Sequence, residues 1–241
     1  MEVNLAEIKL KLYESIKPSG WANILKSFIL SNDFDIILEK LYNEKLNKRK
    51  FTPKLNQIFR VFQETPYDQL KVLFIIKEPY IHFDIADGIA YSYSSPIKSS
   101  MPNNTKYFLK TIEDTIYPNG GFTFNTDLKR YCNQGVLMYN ASLTAEMNVY
   151  GRHYEIWNPF TAFLFDRLNY LNKDLLVVFI DGSTYRWSEI LNNIKNKIFL
   201  SYPTAKIGNY DNHDNWKWFC DDLFNKINKL LANRNKEQII W

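Results

Sequence analysis

The chain has 241 residues, of which 46% are hydrophobic and 23% charged, as is ordinary for a globular protein that buries a core. No apolar run approaches the roughly 20 residues that span a bilayer, and the N-terminal segment lacks the apolar stretch of a signal peptide. These features argue against a membrane or secreted protein. The net charge of +4 permits a nucleic-acid partner but does not require one.

The cysteine content indicates a reducing compartment. Cys132 and Cys220 are the two cysteines, and they lie far apart in apolar stretches. We therefore expect packed, reduced thiols in an intracellular protein, in the host cytoplasm or nucleus if the source is viral. Aromatic residues reach 16%, which an AT-rich genome explains more simply than stacking surfaces for bases.

Residues 21–62 are predicted to be helical, because apolar side chains recur there at three- and four-residue spacing. Four short apolar runs follow, and they do not alternate with polar residues, which is typical of strands buried on both faces of a parallel sheet. The runs are Val72–Ile76, Val136–Tyr139, Leu175–Ile180 and Ile198–Leu200. Helices are predicted at Asn104–Ile116, at Asn158–Leu171 with Pro159 in the first turn, at Ser183–Ile194, and from Trp216 to Leu231.

Strands and helices alternate after residue 70, which predicts an α/β fold with a central four-stranded parallel sheet flanked by helices. We expect a single domain over residues 1–241, with residues 1–65 as its helical N-terminal part. The loops at the carboxyl ends of parallel strands are where such folds place their sites, and residues 80–103 form the most loop-rich segment.

Polar side chains follow three of the predicted strands. Glu78 comes just after the first strand, Asn140 ends the second, and Tyr202 follows the fourth. Each has a plain interpretation: a turn at Glu78, a helix cap at Asn140 and an ordinary turn at Tyr202. Alternatively, an amide, which carries both a donor and an acceptor, can read the edge of a base.

The order and spacing of these segments resemble family-1 uracil-DNA glycosylases from about Trp21 to Trp241. Residues 76–81 stand where the family has Gly-Gln-Asp-Pro-Tyr-His, and residues 87–92 where it has His-Gly-Leu-(Ala/Cys)-Phe-Ser. Residues 134–140 are similar to Gln-Gly-Val-Leu-Leu-Leu-Asn, and residues 202–205 to His-Pro-Ser-Pro. The resemblance implies a uracil-DNA glycosylase fold and an enzyme that hydrolyses the N-glycosidic bond of uracil in DNA.

The resemblance also implies roles for the pocket residues once the nucleotide has rotated out of the duplex. Tyr91 would stack on the uracil, and Tyr80 would exclude the thymine methyl group. Asn140 would accept from uracil N3–H and donate to O4. Glu78 would be the carboxylate near C1′, and Tyr202 would donate to O2.

Several of these positions depart from the family. Glu78 replaces Asp and is one methylene longer, and Tyr202 replaces His as the O2 donor. Lys77, expected at the base pocket, replaces Gln. Lys206 stands where the family has a leucine wedge, and a lysine favours phosphate contact over wedging, so we expect a preference for single-stranded or loosely paired DNA.

Further DNA contacts are implied by matched positions. They are Pro102, Asn104, Lys106, His153, Thr204 and Lys206. The segment Pro102–Lys106 is especially similar to that of poxvirus members, which double as replication processivity components. The resemblance therefore suggests a virus or phage as the source and a replication protein as a further partner.

Two alternatives to an active uracil glycosylase remain open. The changes at Glu78, Tyr202 and Lys206 fit a glycosylase fold that has lost its chemistry and binds DNA or a replication partner. The loop His82–Asp87 departs from the family, which fits removal of a modified pyrimidine. A zinc deaminase motif and a phosphate-binding glycine loop are both missing from the sequence, and we expect no cofactor and no metal.

Overall fold

The four short apolar runs form the central sheet of the protein. The computed structural model describes residues 4–82, 84–94, 101–202 and 222–241. The strands are β1 (Phe51–Thr52), β2 (Val72–Ile76), β3 (Val136–Asn140), β4 (Ala145–Glu146), β5 (Leu176–Ile180) and β6 (Asn196–Leu200). The order across the main sheet is β3-β2-β5-β6, and every neighbouring pair is parallel. The predicted α/β class and four-stranded parallel sheet are confirmed.

Helices cover this sheet. They are α1 (Leu5–Ser15), α2 (Trp21–Ile29), α3 (Asn32–Leu46), α4 (Arg60–Glu64), α5 (Asn103–Ile116), α6 (Lys129–Cys132), α7 (Tyr154–Leu171) and α8 (Leu223–Ala232). Short 3₁₀ helices occupy Leu55–Gln57, Tyr67–Gln69 and Gly182–Ser188. Among the described residues no helix is long and apolar enough to cross a membrane.

Aromatic contacts show that the helices lie on both faces of the sheet. On β2, Phe74 meets Phe108 of α5 and Trp241, with ring centroids 5.9 and 6.4 Å away. On β3, Tyr139 points to the opposite face, because its neighbour Met138 is the register partner of Phe74. Tyr139 there meets α7, through Phe165, at 5.6 Å. Because β2, β3 and β5 are buried along their whole length, their sequences do not alternate.

Two predicted helices differ from those observed. α7 begins at Tyr154 rather than Asn158, so Pro159 lies inside the helix and removes one hydrogen bond instead of opening the first turn. The segment predicted as a helix from Ser183 to Ile194 holds the 3₁₀ helix Gly182–Ser188 and then turns. The hydroxyl of Thr184 bonds to the carbonyls of Ile180 and Asp181 there, which competes with α-helical pairing.

The predictions for the N-terminal and C-terminal helical regions have different outcomes. Between residues 21 and 62, Phe51–Thr52 is not helical but pairs as β1 with Glu146 and Ala145 of β4. The last helix is described from Leu223, and Trp216, Phe219 and Cys220 lie outside the described residues. Cys132 is buried and free, as predicted, and burial raises the pKa of its thiol to about 12.

Candidate active site

A cleft of about 750 Å³ lies at the carboxyl ends of the sheet strands, where parallel α/β folds bind their ligands. Each of the four strands sends a residue to it. β2 leads to Glu78, β3 ends in Asn140, β5 leads to Asp181, and β6 leads to Tyr202. The cleft is lined by residues 76–82, Ile85, Ala86, Ile89, Tyr91, residues 101–104, Asn140, Tyr150, Asp181 and Tyr202.

Glu78 is held by the backbone of a neighbouring loop. Its side chain is 7% exposed, and its two oxygens accept from the N–H of Gly151 at 3.1 and 2.8 Å. The ammonium of Lys77 is 4.0 Å from Oε1. Burial raises the pKa of Glu78, and the Gly151 hydrogen bond and Lys77 oppose that shift. Gly151 has φ +75°, a conformation that favours glycine. A glycine at this position therefore allows the backbone N–H to point at the carboxylate.

Tyr80 and Tyr91 are tied together through Thr105 on α5. The Thr105 hydroxyl donates to the Tyr91 carbonyl at 2.7 Å, so its single proton is used. The Tyr80 hydroxyl, 2.8 Å from the same oxygen, must therefore be the donor in that contact. Tyr91 is 4% exposed and has φ +60°, a left-handed conformation that is rare outside glycine and concentrated at functional sites. This arrangement fixes two aromatic rings at the wall of the cleft.

Asn140 presents an unpartnered amide oxygen. The residue is 4% exposed, and its Oδ1 makes no hydrogen bond to any residue that the structure describes. The backbone beside it is paired, because Ala141 N–H donates to the Ile76 carbonyl at 2.7 Å and continues the sheet pairing. A buried acceptor without a partner costs about 1–3 kcal/mol, so the cleft keeps a hydrogen-bonding capacity that the protein itself does not use.

Tyr202 is positioned by Asn104 at the start of α5. The Asn104 amide nitrogen donates to the Tyr202 hydroxyl oxygen at 2.5 Å, so the phenol proton is left free to point elsewhere. Burial, opposed by the Asn104 hydrogen bond, raises the pKa of Tyr202 to about 12, which keeps the phenol neutral at physiological pH. The Tyr202 and Tyr91 rings meet edge to face, with centroids 6.4 Å apart.

The residues predicted to contact DNA fall into three groups. Pro102 and Asn104 line the cleft, and Lys106 is exposed on α5. His153 is fully buried, so its side chain presents no surface to DNA in this structure, and the predicted contact stays a prediction. Thr204 and Lys206 lie outside the described residues.

His153 instead supports the loop that holds Glu78. Its Nδ1 is 2.9 Å from the Thr144 hydroxyl, which also accepts from the indole N–H of Trp157 at 2.7 Å. Burial lowers the pKa of His153 to about 4, so the imidazole is neutral at physiological pH. Two residues upstream, Gly151 makes the contact to Glu78 described above.

Four contributors to the cleft escaped sequence reasoning. Thr105 sits inside the segment Pro102–Lys106, but its bonds to two aromatic residues depend on the folding of α5. Asp181 follows β5 as Glu78 follows β2, so its place at a strand end is a signal that could have indicated it. Gly151 and Tyr150 lie in a loop whose approach to Glu78 no local pattern encodes.

The acidic side chains that line the cleft form no metal centre with other described residues. Within the described ranges no three His, Cys, Asp or Glu side chains are arranged to hold a metal ion.

Comparison with known proteins places the chain among DNA repair enzymes. No family model matches it. It is 30% identical over 206 residues to the uracil-DNA glycosylase of Mycoplasmopsis pulmonis, covering 83% of this chain and 86% of the relative. It is 29% identical over 225 residues to that of Buchnera aphidicola, covering 92% and 96%. The fold matches the crystal structure of mimivirus uracil-DNA glycosylase with a TM-score of 0.80 and 23% identity, over 99% of this chain and 89% of that one. The chain therefore belongs to the uracil-DNA glycosylase family.

Proposed function

We propose that the protein hydrolyses the N-glycosidic bond of uracil in DNA, acting on a nucleotide rotated into the cleft. The observation that carries this proposal is the unpartnered Oδ1 of Asn140, buried in a cleft walled by aromatic rings. Uracil offers an N3–H donor beside an O4 acceptor, which matches the acceptor and donor of one amide. Cytosine has an acceptor at N3 and a donor at N4, so it would leave the same amide mismatched.

Two tyrosines define the shape of the base that fits. Tyr91 provides a ring at the wall of the cleft, and its strained backbone fixes the ring's direction. The Tyr80 hydroxyl donates a hydrogen bond to Thr105 and is therefore turned toward the protein. The Tyr80 ring would then limit the space next to C5 of the bound base. A ring fixed at that position would exclude the methyl group of thymine on steric grounds.

Cleavage moves charge to two places, and the cleft supplies a group for each. As the C1′–N1 bond breaks, its electron pair leaves with the uracil, and negative charge grows on O2. The free phenol proton of Tyr202 would donate to that oxygen. Positive charge grows on the sugar, where the Glu78 carboxylate would balance it and orient water. The water oxygen then bonds to C1′, and one water proton passes to a base, for which Glu78 is the candidate.

The elongated carboxylate at position 78 is accommodated by the loop at Gly151. Glu78 extends one methylene beyond the family's Asp, and its carboxylate turns to the Gly151 N–H. Lys77 supplies a nearby positive charge that favours the ionised form. A carboxylate held by a backbone donor is oriented before substrate arrives, which is the condition for stabilising charge in the transition state.

We further propose that single-stranded or loosely paired DNA is the preferred substrate. The argument rests on Lys206, which replaces the leucine wedge implied by the family resemblance. Without an apolar side chain inserted between the bases, the free energy needed to unpair and unstack a nucleotide in a duplex is less well offset. Excision from a duplex that is as fast as, or faster than, excision from the matching single strand would refute this preference.

The test of the main proposal uses end-labelled oligonucleotides with one uracil, in single-stranded and duplex form, and scores alkali-labile abasic sites. We expect abasic sites with the wild type, and a loss of about 10²–10³-fold or more in Glu78→Gln and Asn140→Ala. Glu39→Gln, which removes one charge on the exposed surface of α3, is the control and should cleave normally. No product at high protein concentration, with DNA binding intact, would overturn the proposal and favour a binding protein.

A further inference from the structure

Tyr150 is an aromatic side chain exposed at the mouth of the cleft. It is 74% exposed, yet it lines the same cavity as Glu78 and Asn140. Among the described residues Tyr170 is the other tyrosine with comparable exposure, at 72%, and it lies near the end of α7 and does not line the cleft. Tyr150 therefore combines free ring surface with a place beside the site.

The backbone next to Tyr150 is fixed. Its neighbour Gly151 donates to both oxygens of Glu78, so the loop is held to the carboxylate. The ammonium of Lys77 lies beside the same loop, 3.7 Å from the point where a Cβ on Gly151 would be, and the Lys77 side chain is one-third exposed. One rim of the cleft thus carries an aromatic face and a positive charge side by side.

A flipped uracil would not reach this rim. Its ring would lie deeper, against Tyr91 and next to Asn140, both almost completely buried, whereas the Tyr150 ring is mostly in solvent. The groups that remain near the rim are the adjoining nucleotides of the same strand. Rotation of one nucleotide out of the stack also leaves a face of its neighbour uncovered, and exposed aromatic rings bind such faces without sequence preference.

We propose that Tyr150 stacks on the base of a nucleotide adjacent to the flipped one, while Lys77 faces a phosphate of that nucleotide. This inference rests on the proposed action on DNA, and it adds a second base-binding position outside the base pocket. Stacking on a single aromatic side chain changes DNA affinity by about 5- to 150-fold. Tyr150 would therefore contribute to binding and not to the chemical step.

The experiment measures dissociation constants by fluorescence anisotropy with a single-stranded oligonucleotide carrying 2′-fluoro-2′-deoxyuridine, whose glycosidic bond resists cleavage. Tyr150→Ala should weaken binding at least 5-fold, and Tyr150→Phe should bind as the wild type does. The matched control Tyr170→Ala should stay within twofold. Lys77→Gln should lower the slope of log Kd against log salt by about 0.7, the value for one phosphate contact on a single strand.

A second series removes one base at a time on either side of the uracil. At the stacked position, loss of the base should weaken binding to the wild type and leave binding to Tyr150→Ala unchanged. If Tyr150→Ala binds like the wild type, or if no position shows this coupling, the stacking proposal is overturned. Excision of uracil is measured separately on the cleavable strand. Coupling without excision would therefore refute the proposed function and leave the stacking intact.

Discussion

Two clusters of buried polar side chains lie at the ends of the segment from Asp87 to Tyr91, and they differ in how their hydrogen bonds are satisfied. At the first end, both carboxylate oxygens of Asp87 have partners. Oδ1 accepts from the Ile89 N–H at 3.1 Å, and Oδ2 accepts from the Ser92 hydroxyl at 2.7 Å and lies 2.6 Å from the Arg60 guanidinium. In this first cluster both carboxylate oxygens are therefore paired, although the Arg60 Nη1 contact is an ion pair without hydrogen-bond geometry.

At the second end, acceptors and donors are buried without partners. Within the described part of the chain, no hydrogen bond is made by the Tyr91 hydroxyl, Asn140 Oδ1 or Asn104 Oδ1. All three residues line the cleft. The first cluster stabilises the fold, whereas the second lowers stability and retains capacity for a ligand. Asp87 stands where the family has His, and its ion pair with Arg60 gives a structural reason for this change. The presence of Asp87 therefore does not by itself indicate a new base specificity.

The largest effect on stability should follow from breaking the Asp87 cluster. Arg60→Met leaves Asp87, whose side chain is 3% exposed, without its cation, and also removes the contact to Asp127. We expect the free energy of unfolding to fall by about 3–5 kcal/mol in a denaturant titration. Excision per folded molecule should not change. Lys110→Met, which removes an exposed ion pair with Asp114, should cost less than about 1 kcal/mol.

The open cluster should respond in the opposite way. Asn140→Leu keeps similar volume and removes an unpartnered polar group, so the free energy of unfolding should stay equal or rise, while excision falls by about 10²–10³-fold. Asn169→Leu is the matched control, because that buried amide is bonded to Asn192 and to the Asn193 N–H. It should lose about 1–3 kcal/mol and keep its activity. Equal stability losses in the two variants would contradict the comparison.

Within the open cluster, Asn104 is predicted to be a positioning residue for Tyr202. Asn104→Leu should lower kcat by about 3- to 10-fold with KM unchanged, since it removes one hydrogen bond that directs the phenol. Asn104→Asp should be slower still, because a carboxylate would accept the phenol proton and draw it from the cleft. In a Tyr202→Phe background both changes should have little effect on kcat. Asn104→Leu as fast as the wild type would show that the amide plays no such part.

Sequence patterns predicted the strands that position this site better than they predicted the contacts between its residues. Non-alternating apolar runs predicted all four strands of the main sheet. The strands β2, β3 and β5 are buried on both faces and have no polar side, whereas the edge strand β6 is partly exposed. Once the strands were placed, Glu78, Asn140 and Tyr202 fell at their carboxyl ends. The carboxylate donor Gly151, the Thr105 bridge and the burial of His153 depend on how distant loops approach the sheet, and periodicity carries no information on that.

Local hydrogen bonding also overrode helix-period patterns. The segment from Ser183 has apolar residues at helical spacing, yet Asp181 bonds to the Ser183 N–H and the Thr184 hydroxyl binds preceding carbonyls. These short-range bonds stabilise a 3₁₀ turn instead. The start of α7 was predicted too late, because proline is common in the first turn of a helix. In this helix Pro159 lies in the interior, where it costs one hydrogen bond.

The smallest predicted effect concerns the stability cost of Glu78. Burial raises the pKa of its carboxyl above the ordinary value of about 4.3. A carboxyl that binds its proton more tightly in the folded state loses stability on ionising, so this loss appears as pH rises through the folded pKa. Glu78→Gln removes the charge and keeps an acceptor for Gly151. Its free energy of unfolding should therefore exceed that of the wild type at pH 7–8, and the difference should vanish below about pH 4.

The same ionisation should govern activity, because the carboxylate is the form that balances charge on the sugar. Excision by the wild type should fall on acidification through a pKa above the ordinary Glu value, within the pH range where the stability difference to Glu78→Gln closes. Glu39→Gln, also one charge fewer but on the exposed face of α3, accounts for the general effect of charge removal. A Glu78→Gln protein that is less stable than the wild type at pH 7–8 would show that the Gly151 hydrogen bond and Lys77 stabilise the ionised carboxylate more than burial destabilises it.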